Sequence, residues 1–590
     1  MKTKWNLNLL YKNISDPDID KDIKRSIKEV NEFVKKWKTN KEYIKEPNTL
    51  YIALREFEKL SEDPGICTKP SYYIFLQRAL DQENPKLKAK ENKLHDISLE
   101  LENSIQFFLL NISKISKSKQ NAFLNYPKLE IYKHFLQHLF NVSKYTLSDK
   151  EEKIFNLKSK TSYGNWVDMI SELLSKQMFN VKNEEGKMIE VSYNEVGKYL
   201  NSQKKDVREY AAEEFYKINE RYAEIAEFEI NSILENKKIN DTYRKIKRVD
   251  TERLLDNDIE EEVVDTLREV VTKNFDISKR YYKLKAKILK QNKLAYFERG
   301  VPIGDIAKKF TFEKSFEIVR NTFGKLDRHF EDILNKYCSE GRYDVYPKKG
   351  KDGGAFCIST GSKYPTYILL NHNEKLQDIL TIAHESGHAI HSEYSNKQNP
   401  LNQGHSTATA EVASTFFEDF VLSDVKDEFS KKEKTSLMLK KLEDDISSIF
   451  RQIACYNFEL ELHNSFRKEG YLSKERISEI FCKEMNKYLG ESVSIDKHME
   501  LGWLYWSHIR SFFYTYSYAS GLLISKYLQN IVREDKRNIN MVKEFLKAGN
   551  SKSPKDIFKD LNVDITKKEF WIRSLDESRK QLEELESIYS

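Results

Sequence analysis

The stretch "TIAHESGHAIHSEYS", residues 381–395, decides the prediction for this chain, because it joins a helical pattern to three histidines and two glutamates. The chain has 12 histidines in 590 residues, and five of them lie between His372 and His405. Just upstream, "LQDILTIA" repeats apolar residues at three- and four-residue spacing, which is typical of an amphipathic helix. The cluster is therefore either a polar helix face or a metal site on a helix.

The start of this helix is predicted from its asparagines. Asn371 is followed three residues later by Glu374, a spacing that resembles a capping box, and Asn373 is a second candidate cap. The sequence therefore predicts a helix that starts close to these residues and continues through the histidines.

Two histidines of the stretch have the spacing of metal ligands. His384 and His388 lie four residues apart, so on a helix both imidazoles project from one face and can converge on one cation. Glu385 projects beside them and can act as a base toward water, while Gly387 leaves room beside the site. Chance gives roughly 0.02–0.03 matches to HExxH in a chain of this length and composition, which favours a zinc site over a solvated face.

A zinc hydrolase needs a third protein ligand and one open position. His391 shares the face of His384, but seven residues along a straight helix separate them by about 10 Å, too far for one ion. The long metzincin pattern is also absent, since it places glycine at position 391 and histidine at Tyr394. The third ligand must therefore come from another element.

The next helical stretch, "STATAEVASTFFEDFVL", offers that ligand. Glu411 stands among small apolar residues, and burying its charge is costly unless the carboxylate is paired or bound to metal. Glu418 lies two turns further on the same face and suits a role in orienting a ligand. Glu411 is the favoured ligand, and His405 and Glu418 remain the alternatives.

Composition indicates a helical protein. Charged residues make up 33% of the chain, while Gly (19) and Pro (11), which break helices, are sparse. Lysines interleave with glutamates and the formal net charge is only +6, so solvated helix faces are favoured over nucleic-acid binding.

The chain carries no predicted targeting or membrane segment. The N-terminus lacks the apolar core of a secretory signal, and no apolar run approaches the length of a membrane span. The cysteines are scattered and form no CxxC pair, which favours free thiols in a reducing compartment; they are Cys67, Cys338, Cys357, Cys455 and Cys482. We expect a cytoplasmic location.

Two places interrupt the helical pattern. "MFNVKNEEGKMIEVSY" predicts a β-hairpin near 178–193, and we place a domain boundary there, between 1–190 and 191–590. The glycine-containing region before the histidines, with the β-prone run at 364–370, predicts a small sheet.

The densest aromatic stretch is "LGWLYWSHIRSFFYTYSYASG", residues 501–521. Such a stripe is more often core than catalytic. His508 beside repeated tyrosines could instead supply hydrogen-bond donors to the negative oxygen that forms when a carbonyl is attacked.

These motifs together resemble one family. "HESGHAIH" followed by "AEVASTFFE" is similar to the thimet-oligopeptidase-like zinc peptidases, and further motifs narrow the resemblance to their oligoendopeptidase F branch. Those motifs are "GGAFC" (353–357), "YPTYILLN" (364–371), "HIRSFFYTYSYASG" (508–521) and the opening "WNLNLLYKNISDPDIDKDI". The resemblance extends over nearly the whole chain.

The resemblance implies a mainly α fold, with two helical lobes flanking a deep substrate channel and a small β-sheet beside the HExxH helix. The boundary placed at the predicted hairpin then separates an N-terminal helical domain, 1–190, from a catalytic domain, 191–590. The ligands of its single zinc map to His384, His388 and Glu411. Further mapped roles are the base, Glu385, and the transition-state histidine, His508.

The tyrosines of the family transfer less directly, because "IRSF" replaces a glycine-rich turn found in thimet-type relatives. The register is open among Tyr514, Tyr516 and Tyr518. On a helix Tyr514 and Tyr516 point about 160° apart, so only one of the two should face the zinc, and Tyr516 is favoured. The segment 396–410 also departs from the branch pattern.

The sequence thus predicts a zinc-dependent endopeptidase that hydrolyses internal bonds of short peptides by attack of a zinc-activated water. The alternatives are a helical zinc metallocarboxypeptidase and a catalytically silent helical peptide-binding protein. No nucleic-acid or membrane partner is expected, and the oligomeric state is open.

Overall fold

Helices carry most of the chain, as the shortage of glycine and proline predicts. The computed structural model describes residues 1–62, 65–304 and 308–590. The α-helices of the first half are α1 (Pro17–Trp37), α2 (Pro47–Lys59), α3 (Thr68–Leu80), α4 (Pro85–Ser113), α5 (Lys117–Leu124), α6 (Lys133–Ser143), α7 (Asp149–Ser159), α8 (Asn165–Ser175), α9 (Tyr193–Leu200), α10 (Lys205–Arg244), α11 (Thr251–Asp256), α12 (Glu261–Lys273) and α13 (Phe275–Ile288). Those of the second half are α14 (Phe312–Leu326), α15 (Arg328–Glu340), α16 (Leu376–Ser395), α17 (Thr407–Val425), α18 (Lys431–Asp445), α19 (Arg451–Glu469), α20 (Lys474–Leu489), α21 (Lys497–Glu500), α22 (Gly502–Tyr505), α23 (Tyr516–Glu534), α24 (Ile539–Ala548), α25 (Pro554–Asp560) and α26 (Lys568–Ile588). None of the described helices has both the length and the apolar character needed to cross a bilayer.

The predicted β-hairpin is confirmed. Strands β1 (Met178–Lys182) and β2 (Met188–Ser192) pair antiparallel, with Phe179 opposite Val191. The turn between them contains Gly186 at φ +82°, a backbone conformation that glycine adopts without the strain other residues would carry.

The predicted small sheet is also confirmed. Its strands are β3 (Tyr343–Asp344), β4 (Phe356–Ile358) and β5 (Tyr367–Leu369), in the order β3-β5-β4. Strand β5 runs parallel to β3 and antiparallel to β4, so β4 lies at one edge of the sheet. The indole of Trp5 donates to the carbonyl oxygens of Arg342 (3.1 Å) and Ile368 (2.9 Å), which ties the N-terminal segment to the sheet.

The chain forms two compact units, each built from separated stretches. Unit 1 consists of Met1–Lys144, Ala307–Glu428 and Tyr527–Asp564, and unit 2 consists of Tyr145–Ile306, Phe429–Lys526 and Ile565–Ser590. The boundary predicted near residue 190 divides the chain once, whereas these units interleave along it. Unit 1 contains the three-stranded sheet, α16 and α17, and unit 2 contains the aromatic stretch around His508.

The start of α16 differs from the prediction. The helix begins at Leu376, and neither Asn371 nor Asn373 caps it. The carboxylate of Asp378 instead accepts the backbone N–H groups of Asn373 (2.8 Å) and Lys375 (2.7 Å). Glu374 has φ +62°, so the backbone bends at a left-handed residue before the helix, and the predicted capping box is wrong.

Candidate active site

Helices α16 and α17 approach each other at a glycine. A Cβ added to Gly387 would lie 2.7 Å from the Cα atom of Ser414 and 3.0 Å from the carbonyl oxygen of Ala413. Such distances are shorter than van der Waals contact, so the backbone of α17 packs directly on α16. This close approach places Glu411 of α17 opposite the two histidines of α16.

The three predicted ligands come together. Oε2 of Glu411 lies 3.2 Å from Nε2 of His384 and 3.4 Å from Nε2 of His388. One donor atom from each of the three side chains can be chosen so that all lie within 4.8 Å of one another. His391 is not a member of this group, in agreement with its distance along the helix.

These distances fit a zinc ion. Ligand atoms about 2.0–2.2 Å from one zinc in tetrahedral geometry lie about 3.3–3.6 Å from each other, close to the separations seen here. Two imidazole nitrogens and one carboxylate oxygen form a donor set that leaves a fourth position for water or substrate. The residues present therefore fit a catalytic zinc.

The electrostatics of the cluster favour a cation. Burial alone would lower the pKa of His384, but hydrogen bonds with Glu411 and Glu418 outweigh it and raise that pKa to about 10. Burial alone would raise the pKa of Glu411, but hydrogen bonds from His384 and His388 hold it well below its usual range. The carboxylate is therefore ionised, and a divalent cation can take the place of the proton that the cluster attracts.

Two further contacts orient the ligands. Nδ1 of His384 lies 3.1 Å from Oε2 of Glu418, which favours the tautomer with its proton on Nδ1 and leaves Nε2 free to bind metal. The hydroxyl of Ser414 donates to Oε2 of Glu411 at 2.8 Å. Glu418 thus orients one histidine, and Ser414 orients the carboxylate.

Glu385 is suited to act as a base. Its side chain points into the protein, and the residue is only 7% exposed. Burial raises the pKa of Glu385, while the positive charges of His384 and His388 and the backbone N–H of Cys357 on β4 counteract part of that rise. A raised carboxyl pKa makes this group a stronger proton acceptor than a carboxylate in water.

His405, an alternative ligand in the sequence, lies outside the ligand group. Its ring stacks on that of His391, with centroids 4.1 Å apart and planes 14° apart. Burial lowers the pKa of His405 to about 4 and holds the pKa of His391 well below its usual value, so both rings are neutral and can stack without repulsion.

The aromatic stretch of unit 2 forms a second cluster. Nε2 of His508 lies 2.9 Å from the hydroxyl of Tyr518, and the His508 ring stacks on Tyr514 with centroids 5.8 Å apart. Burial, followed by the positive charge of Arg451, lowers the pKa of His508. Tyr514 and Tyr518 are half-buried and in contact with each other, with centroids 5.5 Å apart.

The helical register expected for the tyrosines is wrong. Helix α23 begins at Tyr516, and Tyr514 precedes it, after Phe512 and Phe513 with φ +41° and +58°. Tyr516 is fully buried within unit 2, where its hydroxyl oxygen accepts a hydrogen bond from Nδ2 of Asn257 at 2.7 Å. Its hydroxyl therefore has an interior partner, and the contacts with His508 are made by Tyr514 and Tyr518.

Some residues of these sites were missed from sequence. Ser414 lies three residues after Glu411, a spacing at which helical side chains meet, so this contact could have been found. The partnership of Asn257 with Tyr516 joins positions 259 residues apart and has no local sequence signature.

The close approach at Gly387 can be tested by Gly387→Ala. The added methyl group meets backbone atoms of α17, which cannot turn aside, so α17 and Glu411 must shift. We expect a stability loss of about 1–3 kcal/mol, as for other overpacked cores, together with weaker zinc binding. Gly197→Ala is the matched control, because Gly197 lies in helix α9 with no atom within 4 Å of an added Cβ. Thermal unfolding and chelator competition measure both effects; unchanged zinc affinity in Gly387→Ala would contradict the role given to this contact.

The site combines two histidines from one helix with a glutamate from the next, and a second, buried glutamate lies beside them. This arrangement defines the site of a metallopeptidase.

Comparison with known proteins identifies the family. Residues 198–577 match Peptidase family M3, and residues 111–178 match Oligopeptidase F. The Oligoendopeptidase F homolog of Borreliella burgdorferi is 30% identical over 99% of this chain and 98% of its own length. Oligopeptidase PepF of Bacillus subtilis is 26% identical over 91% of this chain and 81% of its own. The chain belongs to peptidase family M3 and is a metalloendopeptidase.

Solved structures share the fold. The crystal structure of oligoendopeptidase-F from Enterococcus faecium aligns with a TM-score of 0.69 at 20% identity and covers 97% of each chain. A chain from Chlamydophila abortus aligns with a TM-score of 0.87 at 21% identity and covers 99% of this chain and 98% of its own. The predicted mainly α fold and the predicted family are confirmed.

Proposed function

We propose that the protein is a cytoplasmic oligoendopeptidase that holds one zinc ion and cuts internal bonds of short peptides. The observation that carries the proposal is the convergence of His384, His388 and Glu411 within 4.8 Å, next to the buried Glu385. The free state of all five cysteines is consistent with a reducing compartment. Neither a nucleic acid nor a membrane is a partner in this proposal.

The side chains divide the chemistry between them. Zinc, when bound by the three ligands, supplies Lewis acidity to the attacking water and to the scissile carbonyl. Glu385 accepts the proton of the water and passes it to the leaving nitrogen, which departs as an amine. Glu418 and Ser414 keep His384 and Glu411 in place during this proton transfer.

Endopeptidase action can be separated from carboxypeptidase action with blocked peptides. A carboxypeptidase must recognise a free C-terminal carboxylate, whereas an endopeptidase needs only the backbone around the scissile bond. We expect the protein to cut acetylated and amidated peptides at internal bonds, as detected by mass spectrometry. Cleavage confined to peptides with a free C-terminus would support the carboxypeptidase alternative.

We propose that His508 and a tyrosine beside it stabilise the negative charge that develops on the carbonyl oxygen. The support is chemical: the neutral imidazole and the half-buried hydroxyls of Tyr514 and Tyr518 are hydrogen-bond donors grouped in one cluster. Tyr516 fits the role of oxyanion donor less well, because its hydroxyl already has Asn257 as a hydrogen-bond partner.

Tyrosine-to-phenylalanine variants test this assignment, since each removes one hydroxyl and keeps the ring. If Tyr514 or Tyr518 donates to the oxyanion, its variant should lose about 10²–10³ in kcat with little change in KM. Tyr516→Phe should instead lower stability by about 1–3 kcal/mol, because the buried amide of Asn257 loses its acceptor. A large loss of kcat in Tyr516→Phe with unchanged melting temperature would show instead that Tyr516 donates to the oxyanion.

Substrate size should be limited. Glu385 is only 7% exposed, so an extended, flexible backbone can reach it more easily than a folded domain. By analogy with the family, peptides of about five to twenty residues should be cut, and native globular proteins should survive. Gel electrophoresis of native proteins after long incubation checks this; efficient digestion of folded substrates would contradict it.

A further inference from the structure

A cavity of about 750 Å³ lies beside the candidate zinc ligands, entirely within unit 1. His388 forms part of its wall, and its volume falls in the range of about 300–1,000 Å³ typical of ligand pockets. Its lining comes from several separated parts of the chain, among them the segment after β4 and helix α4, which contribute Thr360 and Glu102 respectively. Because His388 belongs to the ligand group, a side chain in this cavity would belong to a residue near the scissile bond.

Several polar atoms of the lining residues lack hydrogen-bond partners. The hydroxyls of Ser359 and Thr360 and Nδ1 of His405 are inaccessible to solvent and have no partner within the described part of the chain. Since these atoms have no surface that solvent can reach, they do not face the cavity, and the charge of the lining has to decide its occupant.

Charge decides which polar side chain the cavity favours. Glu102 is the one carboxylate among the lining residues, and none of those residues is a lysine or arginine. Glu102 is exposed, and no described residue forms a hydrogen bond or ion pair with it. Lys363, which follows the lining residue Gly361 closely in sequence, already lies 3.8 Å from Glu62.

We propose that this cavity is a substrate subsite for a lysine or arginine side chain, with Glu102 as its specificity-determining residue. The cationic head lies near Glu102, the charged side chain of the lining. An acidic side chain at the same position is disfavoured by repulsion from Glu102. The inference rests on the proposed peptidase function, because it assigns a side-chain preference to that activity.

The test uses short acetylated and amidated peptides of one composition in which a single lysine is moved from position to position. Matched peptides carry glutamine or glutamate in place of the lysine. In the zinc-loaded wild type, lysine should raise kcat/KM over glutamine about two- to fivefold at one position relative to the cut, the range of a solvated ion pair. The net charge of the chain is +6 and does not attract lysine, so a preference for lysine at every position alike would point to a source other than Glu102 and would overturn the proposal.

Variants at Glu102 complete the test. Glu102→Gln should bring the lysine-to-glutamine ratio at that position close to one, and Glu102→Lys should shift the preference toward glutamate. Glu100→Gln is the matched control, since Glu100 is exposed on the same helix but does not line the cavity, and it should keep the wild-type ratio. A preference for lysine that survives in Glu102→Gln, or no charge preference at any position in the wild type, would overturn the subsite. If the zinc-loaded wild type cuts no peptide at all, the proposed function fails, and this outcome is distinct from cleavage without a charge preference.

Discussion

Replacement of Glu385 by glutamine should leave zinc bound and remove nearly all peptide hydrolysis. Glu385 is not one of the three side chains that converge, so its loss removes no ligand. Glutamine keeps the volume but cannot accept the proton of water, and general-base catalysis of this kind contributes about 10²–10⁴-fold. Elemental analysis measures the zinc content of the variant, and turnover of a blocked peptide measures its remaining activity.

The matched control for this prediction is Glu393→Gln on the same helix. Glu393 accepts a hydrogen bond from Tyr337 at 2.8 Å and pairs with Arg342 at 3.4 Å, so its replacement should affect stability rather than zinc or turnover. His388→Ala should lose both zinc and activity. A purified Glu385→Gln protein that lacks zinc while the wild type holds one equivalent would show that Glu385 is a ligand.

Replacement of Glu411 by glutamine should weaken zinc binding more than any comparable change on α17. Oε2 of Glu411 is the atom that lies 3.2 Å and 3.4 Å from the two histidines, so its charge is the one negative ligand of the set. Glu418→Gln is the matched comparison, because Glu418 contacts Nδ1 of His384 and not the Nε2 that would bind the metal. Loss of a residue that orients a ligand costs about 10–100-fold in metal affinity.

Competition with a chelator of known affinity ranks the two variants. We expect Glu411→Gln to lose more than Glu418→Gln and both to remain folded, as judged by circular dichroism. Equal zinc affinity for Glu411→Gln and the wild type would remove Glu411 from the ligand set and favour Glu418 or His405.

The fold could be predicted where local patterns dominate. Residue choice alone predicts a helical protein, and the "NEEG" turn between two short apolar runs predicts the hairpin. The start of α16 could not be predicted, because Glu374 adopts a left-handed conformation and Asp378 rather than an asparagine receives the free N–H groups.

The convergence of the three candidate ligands could be predicted because helical spacing fixes His384 relative to His388 and the apolar neighbours of Glu411 single it out. The tyrosines could not be ranked, because the chain bends at Phe512 and Phe513 through contacts far away in sequence. The guanidinium of Arg253 donates to the carbonyl oxygen of Phe512 at 3.0 Å, and the N–H of Phe513 donates to Glu459 at 2.6 Å. These partners lie 259 and 54 residues away, so no local pattern reveals the bend.

The most direct test of the central claim is a mass-spectrometric digest of a mixture of acetylated, amidated short peptides with the protein as purified, after chelation and after zinc is restored. The account predicts internal cleavage, its loss on chelation, and its return with one equivalent of zinc in the wild type but not in His388→Ala. Full cleavage by protein that elemental analysis shows to be free of metal would contradict the account.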